Sequence, residues 1–183
     1  MVQVTFSLAI ISIAAAGLTR AAVLKRDAAT IEADLGVLAS QAATLDNAIN
    51  AFPLTGGSVD DALAIHTDAT TLISAVNTAT GDAQAAGTLS EADGRAILAG
   101  TPSLEPLLGA LQGVVAKKPA FDALPISDID AIILQDLETL QSSLDAFGDA
   151  LVNDFPADLV AEATELKDSI DNAFAPAIAA YSS

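Results

Sequence analysis

The chain has 183 residues, 52% of them apolar, with 24 acids against 7 Lys and Arg, a net charge of −17 and no cysteine. The length suits one domain with a small appendage and provides ample apolar material for one core. The charge repels nucleic acid and anionic lipid head groups, and the lack of cysteine excludes a disulfide framework and thiolate zinc sites.

The start of the chain reads as a secretory signal peptide over residues 1–16. The run Val4–Ala16 is apolar apart from Thr5, Ser7 and Ser12, and Ala14-Ala15-Ala16 supplies a small-residue cleavage site, with a poorer one at Thr19-Arg20-Ala21. The run is shorter than the ~20 residues a spanning helix needs. Lys25-Arg26 follows, a dibasic pair that would release a pro-segment over 17–26 and leave a domain of 27–183 beginning at Asp27. The alternative is two solvated charges in a leader. Trimming removes Arg20, Lys25 and Arg26, so the mature net charge is 4 − 24 = −20. No Asn-x-Ser/Thr acceptor and no C-terminal apolar tail occur, so release into the medium is expected rather than a lipid anchor.

The first predicted helix covers Ile31 to Phe52. Ile31, Leu35, Leu38, Ala42, Leu45, Ile49 and Phe52 recur in steps of three and four, which places them on one face. Glu32, Asp34, Gln41, Asp46 and Asn47 form its polar back. Phe52-Pro53 ends it. Ser58 caps a second helix running to about Thr80, with a wide apolar face that includes Ala62, Ile65, Ala69, Leu72, Val76 and Ala79. Ala83 to Gly87 is expected to be loose. Ser90 caps a short third helix with an acid, Asp93, three residues on. Thr101-Pro102 breaks it, and Ser103 caps a fourth helix that Lys117-Lys118-Pro119 closes. Ser127 caps a fifth, with Ile129, Ile133, Leu137, Leu140, Leu144, Phe147 and Leu151 down one face to Phe155-Pro156. The last covers about Ala157 to Ala175, with Pro176 as its break. No segment alternates as a strand does. The fold class is therefore all-α, an antiparallel up-and-down bundle of five longer helices and one short one.

Little chemistry is available. His66 is the only histidine, beside the second helix stripe, where a packed or half-exposed residue is commoner than a catalytic one; Asp68, two positions on, cannot face it. No GxSxG elbow, HExxH, CxxC or glycine-rich phosphate loop occurs. Asp128-Ile129-Asp130 and Asp136-Leu137-Glu138 lack calcium-loop spacing. Neither an enzyme, nor a metal, nor a cofactor is expected.

The apolar stripes either close tightly on one another or, where the backbones stay apart, line a cavity. The lining candidates are Leu38, Leu45, Ile49 and Phe52 on the first helix and Ile65, Leu72 and Val76 on the second. Leu107, Leu111 and Phe121 follow, then Leu137 and Phe147, then Ile170 and Phe174. An acyl chain entering such a cavity gains ~0.8 kcal/mol per buried CH₂ before association costs. Lys117 and Lys118 are half of the mature basic residues. They either complement a helix C-terminus or seat a carboxylate head group.

The dibasic leader, the opening Ile31-x3-Leu35-x2-Leu38, the segment Leu111 to Phe121 (LQGVVAKKPAF), the stretch Leu134 to Phe155 and the closing helix near Tyr181 together resemble the fungal hydrophobic surface-binding protein A family and the related cell-wall mannoprotein antigens. The resemblance covers essentially the whole mature region. It implies a secreted or wall-associated helical bundle without enzymatic activity. In such a family the protein either holds fatty acids between its helices or adsorbs to wax, polyester or cell wall and recruits secreted hydrolases there. A structural wall component is a third option. The Ser/Thr-rich stalk and anchor signal of the antigens are missing here, which argues against a covalent wall attachment.

Overall fold

The computed structural model describes residues 11–182, with side chains from residue 28 onward except those of 102 and 103. The expected signal peptide falls outside these residues up to residue 10, and the side chains of the rest of the leader, Lys25-Arg26 included, also fall outside them. The helices are α1 (Ile11–Ala51), α2 (Val59–Ala86), α3 (Glu91–Gly100), α4 (Glu105–Asp122), α5 (Ile129–Asp154) and α6 (Val160–Tyr181), with a 3-10 turn over Thr101–Leu104. The all-helical class expected from the periodicity holds.

Several boundaries differ from the sequence expectation. Helix α1 starts well before Ile31, through an Ala-rich stretch without proline. Helix α2 runs past Thr80 to Ala86, because Ala83 and Ala86 are buried and extend its stripe; the segment expected to be loose is packed helix. Lys117-Lys118-Pro119 does not end α4, and Pro176 does not end α6. Both prolines are exposed, while Ala120 and Phe121 after the first, and Ala177 and Tyr181 after the second, are buried. Burial of the following turn offsets the backbone hydrogen bond that each proline removes. Ser58 and Ser90 are N-caps as expected, accepting from the amides of Asp61 and Asp93. Ser103 and Ser127 are not at the cap positions: Leu104 precedes α4, and Asp128, in the left-handed region at φ 65°, precedes α5.

The long helices form a closed ring in the order α1, α2, α5, α6, α4 and back to α1. Consecutive long helices alternate in direction, yet ring neighbours α1 and α4 are parallel. Lys117 near the end of α4 donates to the carbonyl of Asn50, near the end of α1. Helices α2 and α5 are likewise parallel, since His66 and Asp136, each near its helix start, pair at 2.7 Å. The short α3 and the 3-10 turn lie against α1 and the start of α4. They fill the end of the ring that the 18-residue α4 leaves open. The Leu89 amide donates to the Asp154 carbonyl at 2.8 Å, tying the α2–α3 link to the end of α5. At the other end the Tyr181 hydroxyl donates to the Val114 carbonyl at 2.8 Å, and Phe52 stacks on Phe121 with centroids 4.4 Å apart.

The stripe of α1 is the seam of this ring: Ile31, Leu35, Leu38, Ala42, Leu45 and Ile49 are all buried. Helix α4 sits close against it because Gly109 and Gly113, one turn apart, present bare backbone. A Cβ at Gly109 would lie 2.8 Å from Asp46 Oδ1, and one at Gly113 2.9 Å from Ile49 Cγ2. Gly113→Ala should therefore push α4 off α1 and cost about 1–3 kcal/mol, as overpacking does, read as a lower urea midpoint.

Four carboxyl groups sit in poor solvent. Asp34 on α1 is pushed above the usual carboxyl range by burial first and by Asp82 of α2 second, and its Oδ2 is buried without a partner. Burial also raises Asp136, Asp154 and Asp171. A carboxyl raised in the folded state favours folding while protonated. That contribution is complete below the ordinary value of 3.8 and is lost as pH rises through the folded-state value. Asp34→Asn removes the charge and should raise the urea midpoint at pH 7 while giving no gain at pH 3.

Candidate functional site

A ring of five helices encloses more space than its side chains fill. Two apolar cavities lie end to end along the axis. One, of about 60 Å³, is walled by Leu45 and Ile49 of α1, Ala62 to Ala69 of α2, Leu107 to Phe121 of α4 and Ile129 to Leu140 of α5. Helices α4 and α5 face one another across it and touch at few points. The second, of about 50 Å³, lies further along, between Leu35 of α1, Ile97 and Leu98 of α3, Leu144 to Leu151 of α5 and Ala163 to Asp171 of α6. Leu140 lines the first and Leu144, one turn on, lines the second, so a single side-chain layer separates them. Each holds only a few water-sized groups as it stands. A long acyl chain requires the walls to part.

The structure brings together half of the residues the sequence singled out for a cavity. Leu45, Ile49, Ile65, Leu107, Leu111, Phe121 and Leu137 all line the first cavity. Phe147 and Ile170 line the second. Leu38, Phe52, Leu72, Val76 and Phe174 are buried in the core and line neither.

The lysines proposed for a head group lie elsewhere. Lys117 donates to the carbonyls of Asn50, at 3.2 Å, and Phe52, so it complements the C-terminal end of α1 rather than of its own helix. Lys118 pairs with Asp130 at 2.6 Å and Asp122 at 3.0 Å and lies 4.7 Å from the centre of the Tyr181 ring. Its carboxylate partners hold its ammonium above the ordinary range, the Asp130 hydrogen bond foremost.

Each cavity instead has polar side chains that sequence reasoning passed over. In the first these are His66 and Asp136, with Nδ1 and Oδ2 2.7 Å apart. Burial is the main cause that raises Asp136, and the hydrogen bond from His66 opposes it. The two residues lie 70 positions apart, so no local spacing could reveal the pair. In the second, Lys167 is gripped by Asp145, by Asp149 at 3.4 Å and by Asp171 at 3.7 Å. Its stem lies on Gly148, where a Cβ would come within 3.1 Å. The Asp145 hydrogen bond is the chief cause that raises the Lys167 ammonium. Among the described residues no cluster of His, Asp and Glu suits a metal ion, and no helix is long and apolar enough to cross a membrane.

Known structures share this architecture. AfMp4p, solved in complex with palmitic acid, is 33% identical, with 84% of this chain and 99% of that one covered and a TM-score of 0.77. Ligand-binding domain 1 of the Penicillium marneffei MP1 protein, complexed with arachidonic acids, is 15% identical over 85% of this chain and 98% of that one, with a TM-score of 0.76. Domain 2 of the same protein, in complex with arachidonic acids, is 16% identical over 85% and 92%, with a TM-score of 0.70. At those identities the two MP1 domains show a common fold and nothing further. No curated protein sequence matches the chain. The profile of hydrophobic surface binding protein A matches residues 28–153, most of the helical ring, and the chain belongs to that family.

Proposed function

We propose that this protein is a secreted, non-enzymatic carrier that takes a fatty acid or similar lipid between its helices. The observation that carries the reading is the pair of apolar cavities inside the ring, the first walled by α1, α2, α4 and α5, with α4 and α5 touching at few points, and the second by α1, α3, the 3-10 turn, α5 and α6. Apart from His66 and Asp136 in the first cavity and Thr101, Gly148, Lys167 and Asp171 in the second, the walls are leucine, isoleucine, valine, alanine and phenylalanine, so a bound chain gains the ordinary apolar transfer energy of ~0.8 kcal/mol per CH₂. Two cavities in line suit a long, thin ligand. That the 33% identical AfMp4p was solved with palmitic acid supports the same class of ligand here.

A second reading is favoured by the family's description as hydrophobic surface binding and by five large apolar side chains exposed among the described residues: Val37, Leu54, Leu63, Leu108 and Ile132. They are scattered, and scattered apolar residues are ordinary on a protein surface. Adsorption to wax, polyester or cell wall, with recruitment of secreted hydrolases, therefore ranks behind the carrier. Removal of the leader at Lys25-Arg26 belongs to the same proposal and is supported by the family match, which begins at residue 28.

Native mass spectrometry of the protein secreted by a host, purified without detergent, tests both parts. The carrier reading expects a chain starting at Asp27, with a discrete added mass of a fatty acid that delipidation removes and added lipid restores. A bare peak that stays bare in excess fatty acid contradicts it and leaves surface adsorption as the primary role.

A further inference from the structure

A carboxylate entering a chain of net charge −17 needs a cation. From residue 28 onward, where side chains are described, the permanent cations are engaged. Arg95 pairs with Glu91 at 2.8 Å and Asp158 at 3.7 Å. Lys117 caps α1, Lys118 is held by Asp122 and Asp130, and Lys167 by three aspartates. The second cavity therefore meets a ligand with an excess of negative charge at its polar wall. In the first cavity only His66 and Asp136 are polar; α1 and α4 contribute apolar side chains alone, and His66 is the one titratable group that bears on Asp136.

We infer that His66 is the head-group receptor of the cavity between α4 and α5, meeting the carboxyl of the proposed fatty acid at the mouth while the chain lies inside. The His66 side chain is 41% exposed and Asp136 18%, so the imidazole stands outward of the carboxylate, in a cavity wall that also includes the exposed Ile132. An ionised Asp136 only accepts, so Nδ1 carries the hydrogen of their contact and Nε2 is left for a ligand. A carboxyl suits Nε2 in either state of the ring: it accepts from an imidazolium as a carboxylate, or donates to a neutral ring as an acid. An ester can only accept. Asp136 fixes the ring through its 2.7 Å contact with Nδ1, and so acts as a positioning residue. This inference rests on the carrier reading and adds to it the residue that selects a carboxyl end group.

The test compares lauric acid with methyl laurate on the mature protein, read as the ratio of their Kd values by titration calorimetry. The unaltered protein should prefer the free acid. His66→Leu should lower that preference about tenfold, the order of one charge-assisted hydrogen bond, with methyl laurate binding kept. His66→Gln, which keeps a polar side chain beside Asp136, provides the same comparison where the leucine variant does not fold. Asp136→Asn should lower the preference by less. An acid-to-ester ratio unchanged in the folded His66 variants, with both ligands still binding, overturns the inference and leaves the carrier reading standing. Failure of both ligands to bind the unaltered protein overturns the two together.

Discussion

The structure depends on one seam, the buried face of α1 from Ile31 to Ile49. It packs on α2 along one side and on α3, the 3-10 turn and α4 along the other. Glycines 109 and 113 set how close α4 comes. With no disulfide available, the ring closes through apolar packing, and its ends are held by a few directional contacts. These are Lys117 on the carbonyls of Asn50 and Phe52, Tyr181 on the Val114 carbonyl, and Leu89 on the Asp154 carbonyl. Everything else follows from where that seam places the remaining helices. Helices α2 and α4 pack on α1, and α4 and α5, which touch at few points, face each other across space.

That space is the basis of the carrier reading. A tight bundle of this composition would bury its leucines against one another. Here five helices enclose two voids whose walls are apolar except where a cation and a carboxylate meet. The chain's net charge of −17 favours solubility, while the interior of the ring is apolar. The electrostatics of the two voids differ. Three aspartates surround Lys167 in one, whereas a single aspartate faces His66 in the other. The raised carboxyls Asp34, Asp136, Asp154 and Asp171 act in one direction, making the fold more comfortable in mild acid than at neutral pH.

The helices were legible because each carries its stripe in the local sequence, and the caps at Ser58 and Ser90 were legible because a cap is a local hydrogen bond. Pro119 and Pro176 misled because a proline's local penalty is outweighed here by burial of Phe121 and Tyr181 after them, which only the folded ring decides. Ala83 to Gly87 misled because small residues resemble a loop until a neighbour is seen to cover them. The stripes could not reveal which of their residues face the voids: Leu38 and Leu45 occupy the same face of α1, yet only Leu45 lines one. The polar pair at the first cavity was illegible for a plainer reason. His66 and Asp136 sit on different helices, and nothing in either helix's period points to the other.

The central claim is that the hollow between α4 and α5 holds an acyl chain. A crystal structure of the mature protein grown with lauric acid tests it most directly. The account predicts continuous ligand density among Leu45, Leu111 and Leu137, with α4 and α5 further apart than they are here. Lauric acid lying on the outer surface near Leu54 or Leu63, with both cavities unchanged and empty, would contradict it.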